Sequence, residues 1–148
     1  IKASQLDPAR ERLQLGAELI GSDSVAAASE AVMLAIEAMK AAGLTGISVD
    51  MTLPDLVDTL AEKAFPLAPD RREAVRRELD TKDAGGLRAA GGSAYLPLLY
   101  ATGPFESALA ALRAVDAGGA LKTRLDGLEQ IAASIGDAAR ITLDPTER

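Results

Sequence analysis

The sequence predicts an α+β fold, and three observations point to it. Stretches whose apolar side chains alternate with a period of two stand beside stretches with apolar residues at helical spacing. Single Pro and Gly residues separate those stretches at intervals suited to short connections. The chain is 148 residues long and has no cysteine, so a hydrophobic core, not a disulfide framework, must hold it together.

Ile1 to Leu6 and Arg10 to Ile20 read as two strands joined by Asp7-Pro8-Ala9, a turn in which Pro fixes φ and Asp bonds its own backbone. In the second strand Leu13, Leu15, Ala17 and Leu19 form one face, while Arg10, Arg12, Gln14, Gly16 and Glu18 form the other. Ser22-Asp23-Ser24 then offers an N-cap to a helix over Val25 to Ala42, with Val32, Ala35, Ile36 and Met39 in register and Gly43 as its stop. Gly46 to Met51 alternates as a strand, and Pro54 opens a short helix with Leu56, Val57 and Leu60 inward.

From Phe65 the composition changes. Pro66 and Pro69 precede a charged helix containing Arg71-Arg72 and Arg76-Arg77, and the pairs Gly85-Gly86 and Gly91-Gly92 delimit two further short segments. A helix between Pro104 and Asp116 carries the stripe Phe105, Leu109 and Leu112. A last helix over Ala120 to Ile135 aligns Leu121, Leu125, Leu128 and Ile131 before Gly136, and Arg140 to Leu143 returns to strand. The expected organisation is therefore a core over residues 1–64, a helical insertion over 65–117, and a return to the core over 118–148.

Composition narrows the function classes. Without histidine or cysteine there is no imidazole or thiolate metal site, no cysteine nucleophile and no histidine acid or base. Sixteen Lys and Arg against 22 Asp and Glu give a formal charge of −6, and aromatics make up 3%, so neither a broad phosphate grip nor a stacking platform for nucleic acid is expected. No apolar run is long enough for a membrane span and no secretory signal opens the chain, so a cytoplasmic protein is expected. Asp70, Asp80 and Asp83 match no calcium loop, and no metal or cofactor is assigned. Neither glycine pair carries the ending of a phosphate-cradling loop.

The strand face of Arg10, Arg12, Gln14, Gly16 and Glu18 is the most informative feature. Gly16 leaves room for a ligand on the backbone, and Gln14 and Glu18 offer acceptors to an ammonium or imidazole; the plain alternative is a solvated strand face. The four paired arginines, interleaved with Glu73 and Glu78, suit a solvated helix face better than a phosphate site. Tyr95 and Tyr100 with Leu96, Leu98 and Leu99 form an apolar cluster suited to the core, the alternative being a partner surface.

The stretch Arg10-Glu-Arg-Leu-Gln14-Leu-Gly16-Ala-Glu18-Leu-Ile-Gly21 resembles the second half of motif 2 in the histidyl-tRNA synthetase-like group of class II synthetase folds. Gly-Ala-Glu-Leu-Ile-Gly followed by Ser22-Asp23-Ser24 and an Ala-rich helix is most similar to the regulatory subunits of ATP phosphoribosyltransferase within that group. The tail Ile141-Thr142-Leu143-Asp144-Pro145 resembles the strand that leads into the group's histidine-binding motif.

The resemblance implies an antiparallel synthetase-type sheet with flanking helices and a helical insertion. It places Gln14 and Glu18 at positions that contact histidine in true synthetases, and Arg10 at a loosely matched basic position as a phosphate contact. It departs from the synthetases at Arg12, where they usually carry an aromatic residue. The implied function is regulatory, not catalytic: the protein would bind and activate the short-form catalytic ATP phosphoribosyltransferase and take part in feedback control by histidine, as a homo-oligomer. The alternatives are a fragment of a histidyl-tRNA synthetase and a helical dimerisation module without a ligand.

Overall fold

In the computed structural model, residues Gln14–Glu147 are described, and they form a mixed α+β arrangement. Six α-helices are found among them: α1 (Val25–Ala41), α2 (Leu56–Lys63), α3 (Pro69–Asp80), α4 (Ala84–Ala89), α5 (Phe105–Val115) and α6 (Lys122–Ile135). Three short strands, β1 (Ser48–Met51), β2 (Gly103–Pro104) and β3 (Arg140–Leu143), pair in the order β1-β3-β2.

The sheet is mixed. β1 and β3 run parallel, with Ser48 opposite Arg140 and Met51 opposite Leu143, and the ladder extends to Arg140 N–H bonding the Ile47 carbonyl. A parallel pair requires a long crossover, and the helices between β1 and β3 supply it. β2 pairs with β3 in the antiparallel sense, Pro104 opposite Thr142. The antiparallel arrangement implied by the resemblance is thus seen at β2–β3, while β1–β3 adds a parallel pair.

Local chemistry accounts for the helix ends. The Ser24 hydroxyl accepts the Ala27 N–H at 3.1 Å at the start of α1, as its capping position implies. Asp83 caps α4 by accepting the N–H groups of Gly85 and Gly86 at 2.8 and 2.9 Å. α4 ends with Gly91 in the left-handed region at φ 82° and Gly92 N–H bonded back to the Leu87 carbonyl, a closure for which glycine carries no Cβ penalty. α3 ends in the same way, with Asp83 N–H bonded to the Glu78 carbonyl, but Lys82 occupies the left-handed position at φ 57°.

The core is one contiguous cluster that draws on nearly every element. Ile36, Leu60, Val75, Leu87, Leu98, Leu112 and Leu143 are fully enclosed within it. α1 lies along α6, and Gly127 permits the approach, since a Cβ there would stand 3.3 Å from Val25 Cγ2. α1 is apolar nearly all round, so the face away from α6 leaves Leu34 exposed.

Two features differ from the sequence reading. Ser93–Tyr100 forms a 3₁₀ helix, with Pro97 inside it, where only a short segment between glycines is expected. The alternating stretch ending at Ile20 is not a strand over its described part: Gln14–Ile20 is exposed and has no regular structure, with Leu15 at 91% and Ile20 at 87% exposure. Alternation creates two faces but no ladder; a strand also needs a neighbour to bond, and none of the described strands pairs with this stretch. The expected strand over Ile1 to Leu6, the turn at Pro8 and the beginning of the second strand lie outside the described residues.

Candidate functional site

Gln14 and Glu18 sit on that exposed stretch, before the Ser24 cap of α1. Neither has a hydrogen-bond or ion-pair partner among the described residues, and both are exposed. Gly16 between them has open space around the position a Cβ would take. Arg10, the third residue of the expected constellation, lies outside the described residues.

The paired arginines are occupied within the fold. Arg72 and Arg76, each 23% exposed, both reach Asp58 on α2, Arg72 at 3.2 Å, and they continue to Glu62 and Glu73 respectively. Arg71 donates to the Ala90 carbonyl, and Arg77 pairs with the neighbouring Glu78 at 2.7 Å. The helix face is therefore half-buried where it meets α2, not fully solvated, because alternate arginines four apart share one side of α3. Their carboxylate partners on α2 lie ten to eighteen residues away, a relation that no local spacing rule signals.

The two tyrosines separate. Tyr95 is 1% exposed, stacks edge-to-face on Phe65 at 5.6 Å and donates its hydroxyl to the Phe65 carbonyl at 2.9 Å. Burial raises its pKa above the ordinary tyrosine value; Arg72 opposes that shift and Asp58 adds to it. Tyr100 is exposed, so the cluster is core at one end only.

A second polar tie joins the α3–α4 turn to the end of β3. The Lys82 ammonium bonds Asp144 at 2.7 Å and also the hydroxyl of the buried Thr146. Burial pushes the Asp144 carboxyl upward, but hydrogen bonds from Lys82 and Thr146 outweigh it and leave the pKa below the usual carboxylate value. Beside this tie lies a cavity of about 350 Å³ whose lining includes Leu53, Val57, Arg76, Leu79 and Pro145. Its one guanidinium is already committed to Asp58 and Glu73, while Glu147 adds a carboxylate to the lining. Arg113 on α5 and Lys122 on α6 converge on Asp126, whose hydrogen bonds from Lys122 and then Arg113 lower its pKa.

These clusters bind one element to another. No helix among the described residues is long and apolar enough to cross a membrane.

Comparison with known proteins gives the chain its place. A family model described as histidyl-tRNA synthetase matches residues 1–148. The chain is 35% identical to the ATP phosphoribosyltransferase regulatory subunit of Rhodospirillum centenum, an alignment that covers 100% of this chain and 40% of the relative. It is 36% identical to the protein of the same name from Paramagnetospirillum magneticum and 37% identical to that of Rhodospirillum rubrum, over 99% of this chain and 40% of each relative. The chain thus spans about 40% of the length of these curated relatives. No solved structure matches it. With the family model matching from the first residue to the last, and with the Gln-x-Gly-x-Glu wording at Gln14 to Glu18, the chain belongs to the histidyl-tRNA synthetase family.

Proposed function

We propose that the protein carrying this chain is a non-catalytic regulatory subunit that assembles with the catalytic ATP phosphoribosyltransferase, activates it and helps transmit feedback inhibition by histidine. The observation that carries the reading is the agreement of three relatives at 35–37% identity, matched over at least 99% of this chain, on one name. Within that reading residues 1–64 and 118–148 belong to the synthetase-like core and 65–117 to a helical insertion. Gln14 and Glu18 contact histidine, Arg10 contacts a phosphate, and the assembly works in the cytoplasm as a homo-oligomer.

The chemistry supports this use of the residues. Where the backbone is extended, an amide and a carboxylate four positions apart lie on one side of it, and together they can accept hydrogen bonds from an ammonium and an imidazole N–H. Neither has an intramolecular partner among the described residues. Control by histidine then requires only that the amino acid bind one state of the complex better than another.

The test mixes the full-length protein with the short-form catalytic subunit of the same genome and follows particle size and phosphoribosyl transfer with and without histidine. A complex with raised activity that histidine suppresses supports the proposal. Glu18→Ala is expected to weaken the histidine response while leaving assembly intact. The family model's own description supports a second reading, amino-acid activation; histidine-dependent exchange between ATP and pyrophosphate by the protein alone, without a complex, would establish it and overturn the first.

A further inference from the structure

Among the described residues, Lys82 in the turn between α3 and α4 is the only residue other than glycine with a positive φ, at 57°. At the matching place after α4 the chain has Gly91. A side chain in this conformation crowds the following carbonyl oxygen, so the local backbone preference works against the pose. Such residues persist where surrounding contacts impose them.

The contacts that impose this one come from the last residues of the described chain. Lys82 Nζ donates to Asp144 Oδ1 at 2.7 Å and to the Thr146 hydroxyl, partners 62 and 64 positions further on. Those partners are themselves held: Asp144 N–H bonds the carbonyl of Met51, the last residue of β1, at 2.9 Å, and Thr146 N–H bonds Asp144 Oδ1 at 3.1 Å. Thr146 is 7% exposed, and its hydroxyl also reaches the Leu79 carbonyl of α3 at 3.4 Å. The residue after Lys82 is Asp83, whose carboxylate caps α4. Lys82 thus stands between the cap of α4 and the residues at which the chain leaves β3. Pro145 and Thr146 line a cavity of about 350 Å³ with Leu53, Val57 and Leu79, so on that side the exit from β3 meets open space, not packed side chains.

We propose that the contact of Lys82 with Asp144 and Thr146 is a conformational clasp in which Lys82 is the positioning residue: it ties the course of the chain leaving β3 to the pose of the α3–α4 turn. Closed, it holds Lys82 left-handed and Thr146 against α3. Open, it leaves the turn without its restraint and lets the exit from β3 move into the cavity. A displacement of α4 therefore reaches the segment beyond β3 through one side chain. The inference goes beyond the regulatory reading and stands whether or not that reading does.

The test is amide hydrogen exchange in the full chain, read at Thr146 with Asp144 as the internal control, together with urea unfolding. Lys82→Gly removes the ammonium and suits the left-handed backbone, so it should unfold at no lower urea concentration than Lys82→Met. Its Thr146 amide should exchange about tenfold or more faster than in the parent, while the Asp144 amide, bonded to Met51, keeps its protection. Asp83→Ala loosens α4 from the other end; it should speed Thr146 exchange about twofold or more when Lys82 is present and add nothing in Lys82→Gly. The proposal is overturned if Thr146 protection is unchanged in Lys82→Gly, if Asp144 loses protection along with it, if Lys82→Gly is less stable than Lys82→Met, or if Asp83→Ala acts equally in both backgrounds.

Discussion

Replacing Tyr95 by Phe isolates one buried hydrogen bond from the packing around it. The ring is 1% exposed and meets Phe65 edge-to-face at 5.6 Å, and Phe at this position keeps that contact and the enclosed volume. What is lost is the hydroxyl bonded to the Phe65 carbonyl at 2.9 Å, a carbonyl left with no other donor among the described residues. A neutral hydrogen bond contributes about 1 kcal/mol net, and stranding a half-buried acceptor adds to that, so a loss of about 1–2 kcal/mol is expected. In a domain of this size the corresponding fall in Tm is about 2–8 °C. Urea unfolding followed by circular dichroism measures it, with the denaturant slope unchanged because the same surface is exposed.

The pH dependence supplies a second check on Tyr95. Burial raises the phenol pKa above 10.0 in the folded state, so the neutral hydroxyl stabilises the fold fully below the ordinary value. That contribution is lost as pH climbs through the raised value. The gap between the parent and Tyr95→Phe should accordingly be constant near neutrality and shrink above about pH 10. A Tyr95→Phe protein as stable as its parent at neutral pH, or a gap that widens with alkali, would refute the assignment of the Phe65 carbonyl as an interior acceptor.

Other perturbations separate packing from polar ties. Leu87→Ala, at a fully enclosed position, is expected to cost about 2–5 kcal/mol by urea denaturation. At Gly92 a Cβ would stand 2.6 Å from Leu87 Cδ1 and 2.9 Å from Val75 Cγ2, so Gly92→Ala should cost about 1–3 kcal/mol by thermal unfolding. Lys82→Met removes the ammonium from Asp144, whose depressed pKa contributes stability above the ordinary carboxylate value and loses it as pH falls through the lowered one; the variant should therefore differ from the parent at pH 7 and converge with it in acid melts.

How far the sequence discloses this molecule depends on whether a feature is local. Ser24, Pro69 and Gly136 act on their own turns, and α1, α3 and α6 begin or end beside them. The apolar stripes Phe105, Leu109, Leu112 and Leu56, Val57, Leu60 are buried as their spacing implies. β2 escapes notice because two residues, Gly103 and Pro104, carry no alternation; their pairing is created by β3, some forty positions on. Asp116 likewise looks like an ordinary helix terminator, and its bond to the Leu121 N–H with the second oxygen buried appears only once the loop to α6 is folded. The role of Lys82 is hidden for a similar reason, since a left-handed lysine makes sense only beside Asp144 and Thr146.

The Gln14–Glu18 stretch shows the reverse situation, in which residue wording is more specific than local geometry. Its side chains alternate, yet the described residues provide no strand beside it, and Leu15 and Ile20 stay exposed on the apolar side. An extended segment holds two acceptors at a fixed separation only when a neighbour restrains its backbone, because each unrestrained residue retains about 1–2 kcal/mol of conformational freedom. Ligand affinity at Gln14 and Glu18 must therefore be coupled to whatever orders this stretch. Amide hydrogen exchange over residues 14–20 makes the coupling measurable: in the full-length assembly these amides should be protected, and histidine should increase that protection in the parent but not in Glu18→Ala. Exchange that histidine leaves unchanged in the intact assembly would place its site elsewhere in the protein.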